Sequence, residues 1–287
     1  MNKHLFTLFL TTSLIASCGG GEDSPTSMPT SSGGGTALAS QPVVFDKTVE
    51  GGWQGSGPPN SVVFAMVGSG GAFWLAYGAP VVLPTGTKAQ TTWSGFLSLD
   101  GFVQGSLTSA TGVVSSTDLK DFTRTGLSYQ LKLDGTYSAG SSFKATLAST
   151  EASSPIDTKP APATSYIYGV IPRLSNLQGD WTGTELLGSS VANAKIAALP
   201  PLEAKATVEV ALGSCSYRGE ILPRISSIAS ENIFDVTLSS DALCGPRSST
   251  SFSGVAIAQK TALGKSEVLV MAVSRDRKLG FAFLATK

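Results

Sequence analysis

Apolar and polar residues alternate with period two through most of the chain beyond residue 43. Leu127, Tyr129, Leu131 and Leu133 alternate with Ser128, Gln130 and Lys132. Phe143, Ala145 and Leu147 alternate with Lys144 and Thr146, and Ala206, Val208, Val210 and Leu212 with Thr207, Glu209 and Ala211. Successive side chains of a strand point to opposite faces, so each segment predicts a strand with one buried and one wet face. Cys215, Tyr217 and Ile221, then Phe234, Val236 and Leu238, continue the pattern. Two denser runs, SVVFAMV at 61–67 and AFWLAY at 72–77, predict strands joined by a hairpin through Gly68-Ser69-Gly70-Gly71. In the second run Phe73, Leu75 and Tyr77 share one face and Trp74 takes the other. An exposed Trp74 would suggest a binding platform, but so apolar a strand is more simply buried on both faces. Trp93 is equally ambiguous. Further strands are expected at 90–99, 102–107, 251–259, 267–273 and 279–285, with a tight turn at Asp100-Gly101. Residues 118–122 are the one place where a short helical turn is expected.

Two segments repeat one another. Gly51-Gly52-Trp53-Gln54-Gly55 heads the first strand series, and Gly179-Asp180-Trp181-Thr182-Gly183 heads the second. A Trp on an opening strand can plug one end of a small barrel, and flanking glycines let a neighbouring backbone approach. The recurrence predicts an all-β, duplicated body of two small antiparallel barrels or sandwiches. Residues 43–150 form the expected N-terminal β-domain and 166–287 the C-terminal one. Between them, 151–165 carry Pro155, Pro160 and Pro162 among sparse apolar residues, and read as a linker or long surface loop.

The start of the chain follows different rules. Lys3 and His4 precede an apolar run from Leu5 to Ile15, and Ala16 and Ser17 follow. That run is shorter than the roughly 20 residues a membrane span needs, so residues 1–17 read as a cleaved export signal. Residues 18–42 are rich in Gly, Ser, Thr and Pro and read as a flexible spacer.

Composition narrows the chemistry. Lys and Arg total 20 and Asp and Glu total 20, which argues against a nucleic-acid partner. The single histidine is His4, so the expected mature chain has none. This removes Ser-His-Asp and Cys-His catalysis and His-containing zinc sites. Beyond Cys18 only Cys215 and Cys244 remain, and in an oxidising compartment the two are expected to pair. A hairpin turning near 226–229 would bring them together. No cofactor or metal motif is recognised.

Leu14-Ile15-Ala16-Ser17-Cys18 resembles the bacterial lipobox. The resemblance implies that Cys18 is the mature N-terminus, carries the acyl chains and ties the protein to a membrane. Gly19 in place of Asp is similar to lipoproteins sent to the outer membrane. The Gly-x-Trp openings resemble the first strand of lipocalins and avidin-type barrels. The two-part layout resembles surface lipoproteins of the transferrin-binding and factor-H-binding kind. A group of uncharacterised proteobacterial β-rich lipoproteins is closer. It shares the GxWxG segment, the run Phe73-Trp74-Leu75-Ala76-Tyr77, the segment Cys215-Ser216-Tyr217-Arg218-Gly219 and the strand Asn232-Ile233-Phe234-Asp235-Val236. That group implies no activity.

Three functions follow as expectations. The first is a lipid-anchored, non-enzymatic outer-membrane protein with a binding or envelope-surface role, its protein or small-ligand partner unspecified. The second is a carrier of a small apolar ligand, of lipocalin-like barrel type. The third is a carboxylate-based glycosidase, which would need two acids in one cleft. The pattern offers Asp118 with Asp121 and Glu220 with Asp235, and places all four in solvent.

Overall fold

The computed structural model describes residues 45–287 apart from 58–60, 79–100, 124–127, 151, 189, 200–203, 226–229 and 262. Residues 1–44, with the expected signal, Cys18 and spacer, lie outside the described residues, as do the strand expected at 90–99 and Trp93.

The described residues form two closed antiparallel barrels of eight strands each. The first contains β1 (Gly51–Gly57), β2 (Ser61–Val67), β3 (Ala72–Gly78), β4 (Gly101–Ala110), β5 (Val113–Thr123), β6 (Ser128–Ser138), β7 (Ser142–Ala148) and β8 (Ser153–Pro160). The second contains β9 (Gly179–Glu185), β10 (Val191–Ala198), β11 (Ala206–Leu212), β12 (Cys215–Ile225), β13 (Ser230–Ser240), β14 (Ser251–Lys260), β15 (Ser266–Ser274) and β16 (Gly280–Thr286). Each strand pairs with its sequence neighbours, and β1–β8 and β9–β16 pairing closes the rings. Closure leaves neither ring an open sheet edge among the described residues. The expected two-barrel, all-β architecture is therefore the observed one.

Two expectations change. Residues 118–122 lie within β5 and form no helical turn. Residues 153–160, inside the expected linker, form β8, which alternates inward Ser154, Ile156 and Thr158 with outward neighbours. Pro155 is tolerated because β1 pairs only with residues 157–160 and does not reach it.

Both barrels open with the same device. A single 3-10 turn (Lys47–Val49 or Leu174–Asn176) precedes a glycine with positive φ, Gly51 at 152° or Gly179 at 130°. The tryptophan two residues later turns inward, and its indole N–H donates to the carbonyl four residues back. Trp53 Nε1 reaches the Val49 oxygen at 3.0 Å, and Trp181 Nε1 reaches that of Leu177 at 2.6 Å. The last glycine of each segment permits closure. A Cβ on Gly55 would lie 2.1 Å from the Asp157 carbonyl oxygen, and one on Gly183 2.0 Å from that of Leu284. We call the end of each barrel that carries this turn its plugged end.

The barrels lie side by side with their plugged ends on the same side. Gly68, at the plugged end of the first, approaches Arg224 and Glu231, at the plugged end of the second. Gly280, at the far end of the second barrel, packs on Phe122 and Phe102 of the first. Between them runs a third hydrophobic core, separate from the two lumens. Phe64, Met66, Trp74, Phe102 and Phe122 meet Ile233, Val255, Ile257, Leu269, Met271, Val273 and Ala282 there. This core explains the doubly apolar runs: Phe73 faces the lumen, and Trp74 stacks on Phe102 with ring centroids 6.2 Å apart. The exposed Trp74 platform is thus excluded.

A polar clasp borders the shared core. Arg277, in the β15–β16 turn, pairs with Asp118 at 2.7 Å and donates to the carbonyls of Gln104 and Asp118. Its own carbonyl accepts from Lys120 Nζ at 3.0 Å.

Candidate ligand-binding cleft

Aromatic rings span both lumens. Phe73 on β3 stacks on Phe143 on β7, four strands around the ring, with centroids 6.3 Å apart. Tyr217 on β12 meets Phe281 on β16, also four strands around, at 4.2 Å. Strands four apart in an eight-stranded ring stand opposite one another, so side chains fill the middle of each lumen at these levels.

Polar groups sit in the lumens towards the ends opposite the plugs. In the first barrel Asp121 is fully buried and its Oδ1 accepts from the Tyr77 hydroxyl at 2.8 Å. Its Oδ2 has no hydrogen-bond partner, and burial pushes its carboxyl up to about 7 against the pull of the tyrosine. In the second barrel the buried Glu185 pairs with Arg247, from the short 3-10 turn Gly245–Arg247. Burial, the largest influence, raises the nearby Tyr217 hydroxyl's pKa, although Arg247 opposes the shift. These groups satisfy one another or are boxed in by the lumen wall.

A different arrangement lies at the plugged end of the first barrel, where residues 161–173 cross to the second. A cleft of about 270 Å³ opens there, lined mainly by apolar atoms and including Glu50, Trp53, Ala163, Tyr166, Ile167 and Tyr168. The crossing segment is fixed from below. Asn232 donates its backbone N–H to the Tyr168 carbonyl at 2.7 Å and its Nδ2 to that of Ile167 at 3.0 Å. The Tyr166 hydroxyl donates to the Asn232 carbonyl at 2.8 Å. Tyr166 also needs the glycine beneath it, because a Cβ on Gly52 would lie 2.6 Å from its ring.

Glu50 and Tyr168 line this cleft, and Glu231 and Asn232 lie behind its lining. Glu50 Oε1, Tyr168 Oη, both Glu231 carboxylate oxygens and Asn232 Oδ1 are buried and have no hydrogen-bond partner. Glu231 is wholly inaccessible to solvent and stands 3.7 Å from Arg224 Nη1. Arg224 is already engaged, since its Nε donates to Asp235 at 2.9 Å. The Tyr168 hydroxyl lies beside the Glu231 carboxylate without reaching hydrogen-bond geometry. Burial raises the Glu50 carboxyl above its ordinary range, and the negative charge of Glu231 adds to the effect. Buried acceptors without donors are costly, so such a group of oxygens is suited to receive a cation or a multiple donor.

The residues singled out from sequence fall elsewhere. Cys215 and Cys244 form the expected disulfide, their Cα atoms 4.7 Å apart. It ties the start of β12 to the loop after β13, which pairs with β12 as the hairpin reading requires. Asp241 lies beside the two sulfurs, but sulfurs joined to one another offer no thiolate to a metal. Asp118 and Asp121 do not share a cleft: one is outside in the clasp and the other inside the lumen. Only Asp118 is in solvent as expected, and the solvated placement of Asp121 is overturned. Glu220 is half-exposed and pairs with Lys205, and the half-exposed Asp235 pairs with Arg224. The cleft oxygens were missed by sequence reading. Glu50 and Glu231 are 181 positions apart in sequence and look like ordinary surface acids.

No protein-family model matches this chain, and no curated protein matches it. Among solved structures it is similar to a DUF3598-family protein of unknown function from Nostoc punctiforme, at 10% identity and a TM-score of 0.25, over 83% of this chain and 95% of that one.

Proposed function

We propose that the protein is a lipid-anchored outer-membrane protein whose paired barrels serve a non-catalytic binding role. The observation that carries the binding role is the cleft beside the crossing segment, where a preformed apolar recess meets unpartnered oxygens. The anchor rests on the lipobox-like segment ending at Cys18. The body is compatible with it, because the chain enters at Phe45, at the plugged ends. Exposed Ile167, Ile171, Ile225 and Leu263 lie at those ends, with exposed Lys47, Lys260 and Lys265. Apolar and basic side chains together suit the headgroup region of an anionic bilayer. Labelled palmitate fed to cells should enter the protein and be lost in Cys18→Ala; equal labelling of both forms would overturn the anchor.

The second reading is a carrier of lipocalin-like type, which the barrel fold favours. The rings that meet across each lumen make the cleft, rather than a calyx, the place where a carried molecule would sit. A carboxylate-based glycosidase has less support: Asp118 and Asp121 lie on opposite sides of the barrel wall, and Glu220 and Asp235, diagonal neighbours on the outer face of β12 and β13, are each paired with a cation.

A further inference from the structure

We propose that the cleft binds a small primary amine, its ammonium group directed at Glu50 and the Tyr168 hydroxyl and its apolar body lying against Trp53, Tyr166 and Ile167. This deepens the binding role above and rests on it, but its test is independent of the anchor. An ammonium group brings three donors and no acceptor. Of the two unpartnered oxygens on the cleft wall, the Glu50 carboxylate is an acceptor and the Tyr168 hydroxyl can accept, and the fully buried Glu231 carboxylate stands behind them. Tyrosine and tryptophan rings on the wall add the face attraction that aromatic groups offer to cations.

A bare divalent ion fits less well. Calcium takes about six to eight oxygen ligands. Among the lining side chains only Glu50, Tyr166 and Tyr168 carry oxygens, and the Tyr166 hydroxyl is already engaged with the Asn232 carbonyl. The recess is also lined by Pro160, Ala161, Ala163 and Ile167, a wall of no use to a metal but matched to a hydrocarbon or aromatic body. An anion is excluded by the same two acids.

The full chain in detergent micelles, labelled with ¹⁵N, can be titrated with benzylamine, benzyl alcohol and Ca²⁺ while the Trp53 indole N–H resonance is followed. We expect a saturable shift with benzylamine, at least about tenfold tighter than with benzyl alcohol, a gap of about 1.4 kcal/mol. Glu50→Gln should erase that preference while the Trp181 indole resonance, in the other barrel, stays in place. Should Glu50→Gln fail to fold, the contrast between amine and alcohol on the native chain still decides. Equal responses to both compounds, no saturable shift up to about 10 mM amine, or a shift produced by Ca²⁺ in preference to the amine would overturn the proposal.

Discussion

Asp121 is a carboxylic acid wholly out of water, held by one tyrosine hydroxyl inside a hydrophobic lumen. Burial raises its pKa to about 7 in the folded chain, well above the 3.8 of an exposed aspartate. Below the lower value the acid is neutral in both folded and unfolded chains, and its contribution to stability is fully present. Between the two values the unfolded chain ionises and the folded one does not, so stability falls as pH rises. Above about 7 the loss is complete, on the order of 4 kcal/mol for a three-unit shift. Asp121→Asn removes the titration and keeps an acceptor for Tyr77. Urea denaturation should find the variant near native stability at pH 4 and more stable than native at pH 8. Equal destabilisation at both values would show that Asp121 is not held neutral. Its position was illegible in sequence for a definite reason. The β5–β6 register shifts between Ser116 and Leu119, which changes the phase of the alternation. Asp121 therefore shares the inward face with Leu119, while Asp118 turns out towards Arg277.

At the scale of elements, legibility depended on side-chain size. The strands β2, β3, β13 and β15 announce themselves through Val, Ile, Leu, Met and Phe. The inward positions of β10 are Ala192, Ala194 and Ile196, and those of β8 are Ser154, Ile156 and Thr158. Small and hydroxyl-bearing residues fill a lumen already crowded with rings, but they leave little hydrophobic contrast to read. The Gly–Trp–Gly segments were legible because each residue answers a separate geometric demand. Gly183 is the most exacting, and Gly183→Ala drives a methyl group into the β16 backbone. We expect it to cost at least about 3 kcal/mol and to loosen β9–β16 pairing, seen as faster amide exchange along β16. The disulfide makes a second prediction. Its cysteines are separated by 29 positions, and opening such a loop costs about 3–4 kcal/mol on the chain-entropy model. The loop it holds also carries Arg247 to Glu185. Reduction should therefore lower stability by that amount and shift the resonances of Tyr217 while leaving those of Trp53 in place.

At the scale of the molecule, the main departure from the sequence reading is that the two β-units are not beads on a linker. A duplicated sequence with a proline-bearing middle suggests independent domains, and no periodicity says what an outward apolar face packs against. The structure answers with a shared core and a clasp at its border. Met271, Val255, Ile257, Phe102, Phe122 and Met66 are all buried there. Gly280 lets β16 start directly on the stacked Phe102 and Phe122 rings, whose centroids are 4.8 Å apart. Each large side chain removed from water contributes about 1.5–3 kcal/mol. An interface with this many buried apolar groups exceeds what loosely tethered domains usually share. Unfolding of either barrel would expose the outer face of the other, so the two should melt as one unit. Calorimetry of the native protein should show a single transition whose van't Hoff and calorimetric enthalpies agree. Met271→Asp places an unpaired charge in the shared core without touching either lumen. It should separate the melting into two transitions, each with a smaller enthalpy, the second barrel leaving first because β15, which carries the substitution, belongs to it. Two separate transitions already present in the native protein would mean that the shared core packs the barrels together without coupling their stability. The cleft depends on that coupling, since its Glu50 comes from the first barrel, its Tyr168 from the crossing segment and the Glu231 behind them from the second. A split-melting Met271→Asp variant should therefore also lose amine binding at temperatures where the first barrel remains folded.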